Sequence, residues 1–304
     1  MAKKKKNTAA TFDSNDAMAS LRSIATSVLK NEAVFSGEDT DVGEPQGFLK
    51  TPDPELDAIL DKQGRGMPMG RIIELYGPSQ TGKSSLAYAL IAECQRQGGI
   101  GILILAEGEY STMNAHAYGV DESKLIILDT NVVEDVFETI NEYLDQNPDI
   151  PLVFVIDSVA GLSTKAESES KTFDRSRNAQ ARALLLSEAF RRIGVKIPRT
   201  RHTLVLVNQV NEGEITPQGF KSKGKPVGGV RIGFYASVRL RMEMIEKIKK
   251  QRAGRKFVSG LVIRVTTDKN RLNSPFQTLD MIIDFEKGLR SKASKSDDEE
   301  FGDD

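Results

Sequence analysis

The chain has 304 residues, 39% of them hydrophobic, enough for one large α/β domain with small additions or two modest domains. Its single cysteine, Cys94, excludes an internal disulfide. Two histidines argue against a histidine-built metal site, and no apolar run approaches a membrane span. The formal net charge of −1 hides segregation: residues 165–201 carry ten Lys/Arg against four Asp/Glu, and residues 211–256 carry twelve against four. Solvated faces can produce such runs, but two basic segments in a near-neutral chain also suit a polyanion.

Residues 1–12 are expected to be disordered. Lys3 to Lys6 precede polar residues, so the start is not a secretory signal, and the chain is expected to be cytoplasmic. Asp13, Ser14 and Asn15 offer N-caps. Met18, Leu21, Ala25 and Val28 follow at 3-4-3 spacing, which predicts an amphipathic helix within a segment 13–46 that ends in a Gly/Asp/Glu/Pro-rich linker. A lone helix must bury its stripe by folding back or by docking on a neighbouring subunit. From residue 47 to about 290 the pattern is α/β. Strands are predicted at 72–76, 101–106, 125–129, 152–157, 203–208, 236–242, 260–268 and 278–285, with helices between the first five. This predicts a mostly parallel central sheet with helices on both faces, extended by a meander. Residues 291–304 read as a disordered acidic tail, with six acids in the last eight residues.

Gly77-Pro78-Ser79-Gln80-Thr81-Gly82-Lys83-Ser84 fits the phosphate-loop pattern G-x-x-x-x-G-K-[ST] in full, between a predicted strand and a helix that opens near Ser85. The glycines let successive N–H groups turn toward an anion, and the helix N-terminus adds partial positive charge. Lys83 would meet the β- and γ-phosphates of ATP, Ser84 would meet Mg²⁺, and Ser85 is counted with the loop as a nucleotide contact. Asp157 ends the apolar strand 152–157 and is the second candidate magnesium residue. Glu107 closes strand 101–106 and is placed to deprotonate or orient an attacking water, with Glu109 as its rival. Asn208 and Gln209 end strand 203–208. Gln209 would touch the γ-phosphate and report it to the Gly/Lys-rich stretch 210–227.

These residues resemble the bacterial RecA recombinase family. The resemblance is carried by residues 70–78 (GRIIELYGP), Ala106-Glu107, residues 155–162 (VIDSVAGL), Asn208-Gln209, Gly228-Gly229, residues 234–240 (FYASVRL) and residues 269–276 (KNRLNSPF), in family order. It implies a RecA-like ATPase core preceded by a subunit-docking helix. Glu107 would be the catalytic glutamate and Gln209 the γ-phosphate sensor. Lys269 and Arg271 would reach the ATP held by a neighbouring subunit, Arg271 standing where lysine is usual. Phe285 would pack on the adenine. A second adenine-side aromatic aligns with Asn114, and Tyr110 is a substitute nearby. Two DNA-binding loops are implied, one at about 169–179 with Lys171, Arg175 and Arg177, the other at about 211–227 with Lys221, Lys223 and Lys225. Ile215 and Phe220 are candidate wedges between nucleotides. Arg182, Arg191, Gly228 and Gly229 complete the implied DNA contacts. The family's small C-terminal DNA-gathering domain is expected to be missing.

The resulting expectation is an ATP- and Mg²⁺-dependent recombinase that forms a helical homo-oligomeric filament on single-stranded DNA. It would pair that strand with homologous double-stranded DNA, without membrane association. The alternatives are a RecA-core helicase or ring ATPase, and a weakly hydrolysing single-strand-binding mediator.

Overall fold

The computed structural model describes residues 14–29, 43–108, 110–147, 149–170, 175–210, 224, 226, 230–252, 255–286 and 288–291. The chain divides into two units, Met1–Glu44 and Pro45–Asp304. In the first, helix α1 (Ser14–Leu29) carries the predicted stripe, and Met18, Leu21, Ile24 and Val28 are exposed.

The second unit opens with a small pair, β1 (Phe48–Leu49) and β2 (Met67–Pro68), flanking α2 (Pro54–Leu60). Its main elements follow as β3 (Ile72–Gly77), α3 (Lys83–Arg96), β4 (Ile100–Leu105), α4 (Thr112–Ala117), β5 (Leu125–Leu128), α5 (Val133–Gln146) and β6 (Leu152–Asp157). Then come α6 (Lys165–Glu169), α7 (Arg175–Lys196), β7 (Thr203–Gln209), α8 (Val230–Tyr235), β8 (Val238–Arg252), β9 (Arg255–Asn270), β10 (Thr278–Asp284) and β11 (Gly288–Ser291).

The nine-stranded sheet runs β11-β10-β9-β8-β3-β7-β6-β4-β5. The six strands from β8 to β5 are mutually parallel, and β9, β10 and β11 extend the sheet as an antiparallel meander. Parallel strands need covering on both faces, and their alternation supplies two cores. Val153, Val155, Val205 and Val207 face Leu86, Leu90 and Ile91 of α3. Phe154, Ile156, Leu204 and Leu206 face Phe137 and Ile140 of α5 and Phe190 and Ile193 of α7.

Three expectations are corrected here. The strands expected at 236–242 and 260–268 are far longer, continuing as a hairpin through the charged stretch that interrupts their apolar pattern. The first DNA loop, expected to run to about residue 179, gives way to helix at Arg175, where Ala179, Gln180 and Ala181 sustain α7. The helix after the phosphate loop begins at Lys83, because Gly82 takes the left-handed cap conformation at φ 81.

Candidate nucleotide and nucleic-acid site

β3 lies between β7 and β8, and the phosphate loop leaves its carboxyl end. Gly77 packs so closely on β8 that a Cβ would overlap the Met242 carbonyl oxygen, and a Cβ at Gly82 would overlap the Ile283 side chain. Pro78, Ser79 and Gln80 are exposed, and Gln80 holds φ 60. Beneath them the Thr81 hydroxyl donates to Pro78 O at 2.9 Å, and Lys83 Nζ donates to the same oxygen at 2.5 Å. Lys83 is buried. Burial lowers its pKa, and the nearby Asp157 and Glu107 carboxylates oppose that shift.

Ser84, at the first turn of α3, is hydrogen-bonded to Asp157 at the end of β6. Burial raises the Asp157 pKa; the Ser84 bond opposes it, Glu107 adds to it, and Lys83 lowers it. Glu107 follows β4. It accepts from the Ser158 hydroxyl and, at 3.0 Å, from Gln209 Nε2 at the end of β7. Gly161 allows this approach, since a Cβ there would fall 2.7 Å from Ala106 O and 2.9 Å from Glu107 Cγ. Lys83, Ser84, Glu107, Asp157 and Gln209 therefore meet at one end of the sheet, although their positions span more than a hundred residues of chain. Glu109 lies outside the described residues.

A cleft of about 540 Å³ adjoins the loop, lined by Gln80, Ser85, Asn114, Tyr118, Lys247 and Phe285 among others. Phe285 is 55% exposed within it. The predicted Ser85 and Phe285 are thus brought to the loop. Tyr110 instead donates to Glu122 at 3.2 Å, and the aromatic on this wall is Tyr118, hydrogen-bonded to Ser85. Sequence reasoning missed Tyr118 and Lys247. Tyr118 follows a short helix with no motif, and Lys247 sits in a charged run that carries no sign of a cleft.

Lys269 and Arg271 come together away from the loop. Register places Lys269 beside Arg239, and Arg239 beside Glu74, well short of the β3 carboxyl end. Lys269 Nζ donates to Gly233 O at 2.9 Å and Phe234 O at 2.8 Å, and Arg271 donates to Phe234 O at 3.4 Å. Burial, then Arg271 and Arg239, pull the Lys269 pKa down to about 8.

Of the predicted DNA residues, Lys171, Lys221, Lys223, Lys225, Gly228 and Gly229 lie outside the described residues, as do Ile215 and Phe220. Arg175 opens α7, and Arg177 is exposed in its first turn. Arg191 is exposed further along α7. Arg182 is bound into the fold: it donates to Leu162 O at 2.9 Å and lies 3.9 Å from Glu167.

The family model for the RecA N-terminal domain matches residues 48–290. The chain belongs to the RecA family. It is 35% identical over 226 residues to protein RecA of Helicobacter hepaticus, covering 74% of this chain and 62% of that protein. It is 33% identical over 232 residues to protein RecA of Wolinella succinogenes, covering 76% and 64%. For protein RecA of Nautilia profundicola the identity is 34% over 246 residues, covering 81% and 67%. The chain therefore spans a little over three-fifths of the length of the first two relatives. Among the described residues no helix is long and apolar enough to cross a membrane.

The donors at the loop suit a magnesium nucleotide. One hydroxyl and one carboxylate are adjacent, and among the described residues no group of three or more His, Cys, Asp or Glu gathers to hold a metal. Mg²⁺ characteristically takes few protein ligands and completes its shell with water and phosphate oxygens.

Proposed function

We propose that this RecA-family chain is an ATP-dependent DNA recombinase. It forms a helical filament on single-stranded DNA, pairs that strand with homologous duplex and exchanges strands, with DNA-stimulated hydrolysis of ATP. The observation that carries this reading is the contact between Glu107 and Gln209. It joins the candidate water-activating carboxylate to the strand end from which the basic segment 211–227 departs.

In this reading the amides of residues 77–84 and Lys83 hold the phosphates, and Phe285 packs on the base. Ser84 and Asp157 would hold Mg²⁺, which when bound neutralises charge on the phosphate oxygens. Glu107 takes the proton of the attacking water, and the Gln209 amide fixes the carboxylate that does so. Lys269 and Arg271 add charge to the nucleotide of the adjacent subunit, so hydrolysis becomes efficient only on assembly. Lysine and arginine of the basic segments neutralise DNA phosphates, and base pairing supplies sequence specificity.

The test is ATP hydrolysis across a protein titration without DNA, with single strands and with duplex, alongside a direct strand-exchange assay. Cooperative stimulation by single strands and exchange of a homologous strand are expected. A Glu107→Gln variant should keep ATP and DNA binding while turnover drops about 10²- to 10⁴-fold. Hydrolysis indifferent to DNA would favour the ring-ATPase alternative. Negligible hydrolysis by the wild type would favour the mediator.

A further inference from the structure

Asn270 stands between Lys269 and Arg271, and its side chain goes elsewhere. The two cations reach the Phe234 carbonyl. Asn270 is buried, and one amide meets four backbone groups. Its nitrogen donates to Leu60 O at 2.8 Å and Ile59 O at 3.2 Å. Its oxygen accepts from Leu272 N at 2.9 Å and Asn273 N at 3.2 Å, which closes the turn after β9. These four bonds use the full capacity of an asparagine side chain. Asn273 repeats the pattern. It donates to Ala58 O at 3.0 Å and Ile59 O at 3.3 Å, and it accepts from Ser274 N at 2.8 Å.

Ala58, Ile59 and Leu60 are the last three residues of α2. The final carbonyls of a helix have no partner within it. The last turn of α2 carries no basic side chain, and its C-cap residue Asp61 is extended. The partners come instead from a segment more than 200 residues further along the chain. α2 is a firm support for them. Asp53 caps its start by accepting from Glu55 N at 2.7 Å and Leu56 N at 3.3 Å, and Leu56 and Leu60 are fully buried in the core on the α3 side of the sheet.

The strand ladder by itself holds the two cations weakly. Pairing of β8 with β9 ends at Val238 and Asn270, and the register shifts between Arg239 and Leu240, one pair before that end. Past the ladder, Arg271 N donates to Ser237 O at 3.1 Å, at the start of β8. The backbone that carries Lys269 and Arg271 is therefore tied on one side to β8 and on the other to α2, through Asn270 and Asn273. Charges that act on a phosphate outside their own subunit need this preorganisation, because a misplacement of about 1 Å costs on the order of 100-fold in rate. We propose that Asn270, seconded by Asn273, is a positioning residue for hydrolysis in the adjacent subunit: by tying the turn to the carboxyl end of α2, it sets the reach of Lys269 and Arg271 toward a neighbour's ATP. The proposal rests on the shared-site reading above for what those cations do.

The test is ATP hydrolysis on single-stranded DNA by the full-length Asn270→Ala variant, alone and in mixed filaments. Alone, kcat should fall about 10- to 100-fold. KM for ATP should stay near the wild-type value, because the phosphate loop is untouched. Mixing supplies a readout that a merely structural role would not move. In a head-to-tail filament each site takes Glu107 from one subunit and the two cations from the next. Asn270→Ala subunits keep Glu107, and Glu107→Gln subunits keep the turn. Random assembly of an equal mixture completes about one junction in four. Turnover should then rise to roughly a quarter of the wild-type rate, from at most about a tenth for either variant alone.

Wild-type kcat in Asn270→Ala overturns the proposal, as does a mixture no more active than the average of its components. Lys269→Ala mixed with Glu107→Gln tests the reading underneath. Recovery there, with none for Asn270→Ala, removes the positioning role alone. No recovery in either mixture removes the shared site, and the positioning role with it. Should Asn270→Ala lose its cooperative melting transition, Asn273→Ala decides. That residue is partly exposed, and its loss leaves Leu60 O engaged by Asn270. Its kcat should fall about 3- to 10-fold and recover with Glu107→Gln subunits. Wild-type kcat in that variant would overturn the proposal.

Discussion

Gly161→Ala tests whether turnover depends on where the end of β4 holds Glu107. The new Cβ would fall 2.7 Å from Ala106 O and 2.9 Å from Glu107 Cγ, where ordinary contact starts at 3.4 Å. The strand end, or the turn bearing Gly161, must therefore yield by about 0.5 to 0.7 Å. Neither recedes freely: Leu105, Ala106, Val159 and Leu162 around the contact are all buried. Overpacking of this kind costs about 1 to 3 kcal/mol of stability. A catalytic group displaced by about 1 Å loses on the order of 100-fold in rate, so a shift of this size predicts a fall in kcat of about 10- to 100-fold. Nucleotide affinity should change little, because Lys83 and the loop amides are untouched. The assay is single-strand-stimulated ATP hydrolysis at saturating nucleotide, with fluorescent-nucleotide binding and urea unfolding on the same samples. Placed on a Glu107→Gln background, the substitution should add little, since the group it displaces is already disabled. Wild-type turnover in the single variant, or an equal loss in both backgrounds, would refute the steric argument.

On the recombinase reading, Lys269 should make assembly pH-dependent. An unfolded lysine keeps its proton to about pH 10.4, whereas this one loses it near 8, so between those values the unfolded chain binds more protons and folding stability rises with pH. Only the ammonium form can act on a neighbour's phosphate, so ATP-dependent assembly followed by light scattering should weaken as pH passes about 8. Lys269→Arg should flatten that profile, and a flat wild-type profile would refute it. A second prediction concerns Glu74, fully buried and accepting from Arg239 Nε at 2.5 Å and Asn208 Nδ2 at 2.9 Å. Arg239→Met should cost about 3 to 5 kcal/mol in urea unfolding by stranding that carboxylate, and adding Glu74→Leu should recover most of it. Equal losses in the single and double variants would exclude the pairing argument.

The core strands were legible because they are buried on both faces. Continuous apolar runs such as Leu152-Val153-Phe154-Val155-Ile156 announce parallel strands, and the intervening segments announce the helices. The hairpin ribbon was not legible for the converse reason. With Met244, Ile245, Phe257 and Val258 all more than a third exposed, no face is buried, so no alternation marks it as strand. Bulges between Met244 and Glu246 and between Ile248 and Lys249 disturb what period remains. In the site, Lys83, Ser84, Asp157, Glu107 and Gln209 could be picked out because each belongs to a local motif or ends an apolar strand. Tyr118 and Lys247 reach the cleft through tertiary packing alone. The resemblance implies a DNA contact at Arg182, and nothing local reveals that its guanidinium also donates to the Leu162 carbonyl.

The segment between Gln209 and Tyr235 draws the parts together. At its start Gln209 holds Glu107, and at its finish the carbonyls of Gly233 and Phe234 are held by Lys269 and Arg271. On the recombinase reading these two anchors belong to the two halves of a nucleotide site shared between subunits. A γ-phosphate that draws Gln209 from Glu107 changes one anchor. A neighbour's phosphate that competes for Lys269 or Arg271 releases the other, because a cation engaged with carbonyl dipoles is reoriented by full negative charge. In sequence the basic stretch 211–227 lies between the anchors, so on this reading ATP on either side would bias the same piece of chain. Coupling is reciprocal, so on that reading DNA bound to that stretch would shift both anchors in return, which would give DNA-stimulated hydrolysis a physical route through the contacts of Gln209 and Lys269.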